Sequence, residues 1–462
     1  MKTLATIREQ HPVMHYQKAE YELSGTTMRI TFSYLIEPDL PFTHRLVFHD
    51  LPEGVTTIPA KLLQTAVNHL GLAELFNYWK LTASPVIHNH VVQLSDKQTQ
   101  FWLELLKHGM GEYFYVNDID FTQPDFVQLI TDADIPETIL PPLPAPQNPK
   151  VLVPLGGGKD SVVTLAAFLE QLPTQQLGTF LVNPTQAASD IANQSELHQI
   201  VVERTLDERL FALNKQGYLN GHIPISSVFA FSALLGCLLH GYTHIAISNE
   251  RSSNEGNVQF QGHEINHQYS KSYAFETAFR AYQQDIYGQH APSYFSYLRP
   301  FYELQIAECF AGLPAYHQVF RSCNRGQKTN SWCGECPKCL SAFLLLYPFI
   351  SEDKLVGYFG KNLFEDASLY PLLLALLGRD QAKPFECVGT YEESIAALHL
   401  CVKQARSVHT QLPIVLERAS QEILSQETNL DERAQAVLTA WNMEHHIPHG
   451  WENWLSLETN QS

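Results

Sequence analysis

Val151-Leu152-Val153-Pro154-Leu155-Gly156-Gly157-Gly158-Lys159-Asp160-Ser161 runs from a short apolar segment through three glycines into SVVTLAAFLEQL (161–172). The apolar segment reads as a buried strand. In the stretch after it, Val162, Leu165, Ala166, Leu169 and Leu172 recur at helical spacing and define one apolar face. A strand that turns through glycines into a helix puts the helix's free amide donors, and the positive end of its dipole, at the turn. Glycines lack Cβ atoms, so backbone amides can close on an anion. Phosphate is the guest that suits such a turn. Lys159 adds a point charge, Asp160 can hold Mg²⁺, and Ser161 can donate a hydroxyl or cap the helix.

Outward from this turn the pattern repeats. GTFLVNP (178–184), IVVERTL (200–206) and HIAISNE (244–250) read as further strands with helical segments between them. This alternation predicts an α/β fold with a parallel sheet that binds ligands at the strand carboxyl ends. Residues 139–149, ILPPLPAPQNP, hold five prolines and admit neither helix nor central strand, so they read as a linker. Before it, MRITFSYLI (28–36) and HRLVFHD (44–50) alternate apolar and polar residues, and a helical stretch follows at about 59–78. The expected organisation is a small α+β domain over 1–140, a linker over 141–149, an α/β nucleotide-binding domain over 150–350 and a helical region over 351–462.

The 462 residues carry 48 acidic and 30 basic side chains, a net charge of −18. A nucleic-acid partner is therefore not expected, because gripping a phosphate backbone needs a basic surface. The apolar runs at 228–239 and 369–377 are too short for a membrane span and read as buried helices. The first residues show no secretory pattern, which predicts a cytoplasmic protein without membrane association. In a reducing compartment eight cysteines point first to metal. Cys323, Cys333, Cys336 and Cys339 fall within 17 residues, with two residues between successive members of the last three. That spacing lets a tight turn present three thiolates to one Zn²⁺ while Cys323 closes a tetrahedron. Such a closed site is structural.

The glycine loop does not fit the Walker pattern or a dinucleotide fingerprint. It resembles the Ser-Gly-Gly-x-Asp-Ser loop of the PP-loop ATP pyrophosphatases, with Gly156 where the first serine usually stands. That resemblance implies cleavage of ATP between its α- and β-phosphates, with Gly156, Gly157, Gly158, Lys159, Asp160, Ser161 and Asn183 around the nucleotide. Further stretches, SNERSSNEGN (248–257), INHQYSKS (265–272), KPFECVGT (383–390) and HGMGEYFYVND (108–118), are similar to the MurL family of ATP-dependent UDP-N-acetylmuramoyl-L-alanyl-L-glutamate epimerases. The resemblance implies inversion of the terminal glutamate of a UDP-sugar dipeptide with ATP and Mg²⁺.

Within those stretches, Arg251, Asn254, Asn257, Tyr269 and Lys271 are candidates for substrate contact, Arg251 for its fork of donors. Glu250, Glu255 and His267 are candidates for Mg²⁺ binding or proton transfer, together with Lys159 and Asp160 of the loop. Cys387 is a candidate catalytic thiol, while Cys237, Cys309 and Cys401 have core-like neighbours. Two other readings stay open. The four cysteines resemble those of 7-cyano-7-deazaguanine synthase, a carboxylate-to-nitrile enzyme, and an α/β fold can also bind ATP without turning it over.

Overall fold

The computed structural model describes residues 3–379 and 382–455. In chain order its strands are β1 (Val13–Ser24), β2 (Thr27–Ile36), β3 (Leu40–Phe48), β4 (Val86–Asn89), β5 (Gln128–Thr131), β6 (Val151–Pro154), β7 (Leu177–Val182), β8 (His198–Thr205), β9 (His244–Ile247), β10 (Val258–Phe260), β11 (His263–Ile265) and β12 (Ser293–Ser296). Ten of them form one sheet in the order β12-β9-β6-β7-β8-β3-β2-β1-β4-β5, and β10 and β11 make a separate hairpin. The strands from β12 to β8 run parallel. β6 and the first five residues of β7 are buried almost throughout, as expected of parallel strands covered on both faces. β2 instead alternates, burying Met28, Ile30, Phe32, Tyr34 and Ile36, the period of a sheet with one covered face.

Helix Ala60–Trp79 packs on β1 and β2 and against helix Ile225–His240, forming the core on one side of the sheet. Helix Lys159–Gln171, helix Glu303–Ala311 and the C-terminal helices build a second core around β6 and β9. Helix Lys159–Gln171 lies between strand and helix, so it buries Val163, Ala167 and Phe168 as well as Val162 and Leu165. Its buried face is displaced from the predicted stripe, since Ala166 and Leu169 are only half-buried and Leu172 lies past the helix end. Residues 370–376 and 225–240 are helices, as the apolar runs predict, and the described chain after 351 is mostly helical as far as Leu438. No helix among the described residues is long and apolar enough to cross a membrane.

The segment 139–149 is irregular, as its prolines require, yet the sheet does not break there. β3 pairs antiparallel with β8, from Arg45↔Thr205 to Phe48↔Val202, and so joins the N-terminal strands to the parallel half. Arg204 of β8 also reaches Glu74 of helix Ala60–Trp79 with both Nε (2.8 Å) and Nη2 (2.6 Å). Burial would raise the Glu74 carboxyl, but Arg204 and His44 hold it down to about 2. Removing one partner of such a buried pair costs about 3–5 kcal/mol.

Candidate functional site

β6 lies between β7 and β9, so the chain leaves it in opposite directions and opens a crevice at the strand carboxyl ends. A cavity of about 390 Å³ fills that crevice, lined on one wall by Gly156, Gly158, Lys159, Asp160 and Ser161. Gly157 makes the turn at φ +91°, and a Cβ there would stand 3.0 Å from the Ala188 amide nitrogen. Only glycine fits that position. Helix Lys159–Gln171 begins after Gly158 with no side-chain cap, which places Asp160 inside the first turn. The Ser161 hydroxyl donates back to the Gly158 carbonyl at 3.0 Å. Lys159 Nζ donates to Asp160 Oδ1 (2.5 Å) and Glu303 Oε2 (2.9 Å). Burial alone would lower its pKa, but the two carboxylates raise it, and the side chain stays an ammonium.

The facing wall comes from the end of β9. Ser248, Asn249 and Glu250 line the cavity, and Glu303 enters from the first turn of the helix after β12. Ser252 Oγ stands 3.2 Å from both Glu250 Oε1 and Glu303 Oε1. Burial is the main cause that raises both carboxyl pKa values, and like charge from Asp160 adds to it. Arg299, wholly buried just past β12, holds this wall in place. It donates to the Glu250 carbonyl (2.9 Å), Ser253 Oγ (2.7 Å), the Lys271 carbonyl and Glu276 Oε2 (3.1 Å).

Lys271 and Cys387 complete the lining, with Lys271 Nζ 3.1 Å from the Cys387 sulfur. Burial would raise the thiol, but Lys271, Lys338 and a hydrogen bond from His267 bring it down to about 5. It is a thiolate at neutral pH. His267 moves the other way: burial opposes its charge, while Cys387 and Glu112 lift it to about 9. Its Nδ1 is hydrogen-bonded to Glu112 Oε2. His222 stands beside it with ring centroids 4.2 Å apart and is pushed down to about 3, first by burial and then by the neighbouring cations. A thiolate, an imidazolium and a carboxylate therefore stand in series behind the cavity.

Other sequence candidates have different surroundings. Asn183 lines the cavity, but its amide is engaged with the Arg204 backbone, donating to the carbonyl (2.6 Å) and accepting from the amide (2.8 Å). Arg251 lies over the Tyr302 ring at 4.4 Å and is not part of the lining. Asn254 accepts from the Tyr273 amide, and Glu255 pairs with Lys383 at 3.2 Å. Asn257 donates to the Pro384 carbonyl (2.9 Å) and accepts from the His267 amide (2.9 Å), which ties the His267 and Cys387 segments together. Tyr269 faces a separate groove between helices Asp96–Gly109 and Tyr273–Tyr287. Glu112, His222, Arg299, Glu303 and Lys338 are additions that the sequence reading did not single out. Of these, Glu112 lies in a motif already noted, and Lys338 stands inside the cysteine cluster.

Cys323, Cys333, Cys336 and Cys339 form a cluster able to hold a metal ion, their sulfurs all within 4.8 Å of one another. The Cys323–Cys336, Cys333–Cys339 and Cys336–Cys339 separations are 3.8, 3.7 and 3.5 Å. A tetrahedral ion with bonds of about 2.3 Å needs sulfurs about 3.8 Å apart. The Gly326 and Cys333 amides point at the Cys323 sulfur (3.2 and 3.4 Å), as donors do to a thiolate. The cluster braces the cavity twice. The Arg321 amide donates to the Gly157 carbonyl at 2.8 Å, and Asn324 donates to Glu386, next to Cys387, at 2.7 Å.

Two family models match this chain. One described as the MurL N-terminal domain covers residues 6–297, and one described as the MurL C-terminal domain covers 319–434. A Micromonospora sp. protein named UDP-N-acetyl-alpha-D-muramoyl-L-alanyl-L-glutamate epimerase is 38% identical over 64% of this chain and 66% of its own length. A Salinispora tropica protein of the same name is 37% identical over 64% of each chain. A third with that name, from Xanthomonas oryzae pv. oryzae, is 32% identical over 86% of this chain and 88% of its own. The matched region thus spans just under two thirds of the first two relatives.

Proposed function

The chain belongs to the MurL family, and from that premise we propose that it inverts the terminal L-glutamate of UDP-N-acetylmuramoyl-L-alanyl-L-glutamate to D-glutamate in peptidoglycan precursor synthesis. The observation that carries the reading is that one cavity is walled by both the glycine loop and the Cys387–Lys271 pair. ATP is a co-substrate: its AMP portion goes onto the substrate carboxylate, pyrophosphate leaves, the activated carbonyl makes the Cα proton removable, and water then cleaves the acyl–phosphate bond to release AMP and the inverted peptide. The amides of Gly156 to Ser161 and the Lys159 ammonium hold its phosphates. Asp160 and Glu303 bring carboxylate oxygens to that point beside the Lys159 ammonium, a donor set suited to Mg²⁺.

In this reading Cys387 takes the Cα proton and Glu250 returns one from the facing wall. Their environments reverse the usual order, with the thiol lowered to about 5 and the carboxyl raised. That separation is the mark of an acid–base pair. Lys271 and His267 keep the thiolate charged, and Glu112 orients His267. The four cysteines bind one structural Zn²⁺, which fixes both walls and has no free coordination position for substrate. A UDP-linked substrate and ATP place the reaction in the cytoplasm. Incubation with ATP, Mg²⁺ and the UDP-linked L-Ala-L-Glu peptide, followed by chiral analysis of the glutamate and assay of AMP, tests the proposal. D-Glutamate formed only with ATP, alongside AMP, is the expected result. AMP release without inversion would favour a different acyl-activating reaction, and neither product would overturn the reading.

A further inference from the structure

Far along the sheet from this cavity, three histidines converge. His15 of β1 and His88 of β4 are partners in the parallel ladder, and His90 lies two residues past His88. Their strand neighbours Met14, Tyr16 and Ile87 are buried, so the histidines occupy the other face of the sheet. With 17%, 31% and 28% of their side chains exposed, a solute ion can reach them. One ring nitrogen from each lies within 4.8 Å of the others.

Each ring is also held from behind by a carboxylate. His15 Nε2 meets Glu37 Oε1 at 3.0 Å, His88 Nε2 meets Asp132 Oδ1 at 2.6 Å, and His90 Nδ1 meets Asp132 Oδ2 at 2.6 Å. A ring nitrogen that faces a carboxylate carries the proton, which leaves the opposite nitrogen of each neutral ring as a lone pair. His15 Nδ1 and His90 Nε2 are two such nitrogens, and they face each other at 2.8 Å. Two lone pairs that close repel unless a proton or a metal ion stands between them, so this is a point at which a cation binds.

We propose that His15, His88 and His90 form a Zn²⁺ site separate from the four-cysteine cluster. Neutral imidazoles backed by carboxylates are a ligand set for borderline cations, and the carboxylates raise ligand basicity and fix ring orientation. Zinc–nitrogen bonds of about 2.0–2.1 Å set tetrahedral neighbours about 3.3 Å apart, so the rings must part by roughly half an ångström on loading. Three protein ligands leave a fourth position for water. In strand order β1 is five spacings, about 24 Å, from β6, so this ion is remote from the acid–base groups. Its effect is to staple the sheet's short outer strands. It joins β1 and β4 directly, and through Glu37 and Asp132 it fixes the residues that follow β2 and β5.

The test is zinc content per chain of the full-length protein purified in zinc-containing buffer and desalted, compared with His15→Gln/His88→Gln. We expect the double variant to hold one zinc fewer while forming AMP at the wild-type rate. Asp132→Asn should keep the site but weaken it about 10–100-fold in competition with a chromophoric chelator. Equal zinc content in wild type and double variant overturns the proposal, as does zinc uptake that needs millimolar metal. If the double variant fails to fold, the Asp132→Asn titration decides, and an unchanged affinity refutes the site.

Discussion

The glycine loop at 156–161 and the polar loop at 248–257 face the same cavity and are built in opposite ways. The first is held by its backbone: Gly157 in a left-handed turn, amides at a helix start, and one lysine between two carboxylates. The second is held by its side chains, which mostly bind protein. Ser252 and Ser253 cap neighbouring groups, Asn254 and Asn257 anchor other segments, and Arg251 stacks on Tyr302. A loop shaped by its backbone leaves its donors free for a ligand. One shaped by its side chains spends them on scaffolding and turns only a few toward the cavity, here Ser248, Asn249 and Glu250. The same residue types therefore mean different things in the two places.

This contrast can be broken by separating activation from inversion. The largest effect is expected from Asp160→Ala, which should lower AMP formation by about 10³-fold with the circular dichroism spectrum unchanged. Normal AMP release from that folded variant would remove the loop from the chemistry. Next, Cys387→Ser replaces a thiolate with a hydroxyl that is neutral at pH 7. Solvent deuterium at Cα, measured by mass spectrometry in D₂O, should fall by about 10²-fold while AMP release continues. Equal loss of both would place Cys387 in nucleotide binding instead.

Cys336→Ser should remove the cluster's metal and lower both activities together, because that cluster touches the phosphate loop and the Cys387 segment alike. Metal analysis with the two assays reads this, and loss of only one activity would deny the shared brace. Asn257→Ala sharpens the claim that the polar loop works at one remove. It should cost about 1–2 kcal/mol in urea unfolding. Inversion should slow about tenfold through misplacement of His267, with AMP release untouched.

The smallest effect is electrostatic. His267 is raised in the folded state, so its stabilisation is fully present below the unfolded value near 6.5 and is lost as pH rises through about 9. Cys387 is lowered, so its contribution fades as pH falls through about 5. The stability difference between wild type and His267→Gln should therefore be greatest near about pH 6 and shrink by about pH 9.5, read from melting temperatures. A difference that grows with pH would deny the thiolate–imidazolium pair.

What the sequence makes legible follows the distance along the chain over which a feature is assembled. The glycine loop and the four cysteines lie in short stretches, and their spacing carries the geometry. Glu303 and Arg299 reach the Glu250 loop from about fifty residues away, and Glu112 meets His267 across 155 positions. Glu303 follows Tyr302 at the start of an apolar helix and looks like an ordinary first-turn acid. Arg251 misleads for a related reason: an arginine just past a strand has the same sequence signature whether it faces a ligand or a tyrosine ring. Of the parallel strands, β6 to β9 were legible from their apolar runs, and the short edge strand β12 was not. Their junction with the N-terminal strands was not, since the β3–β8 pairing leaves no local mark and the prolines at 139–149 look like a domain boundary.

That junction has a consequence for the chain as it is made. β3 is complete at Phe48, yet its partner strand β8 does not begin until His198. At about 5–20 residues per second, roughly 8–30 seconds of synthesis separate the two. Throughout that interval one edge of the nascent β1–β2–β3 sheet is open. Its outer strand, LPFTHRLVF, is apolar enough to recruit a neighbouring chain, but it also carries Pro41, His44 and Arg45. A proline that donates no hydrogen bond and a charged side chain are what shields a waiting edge from the wrong partner.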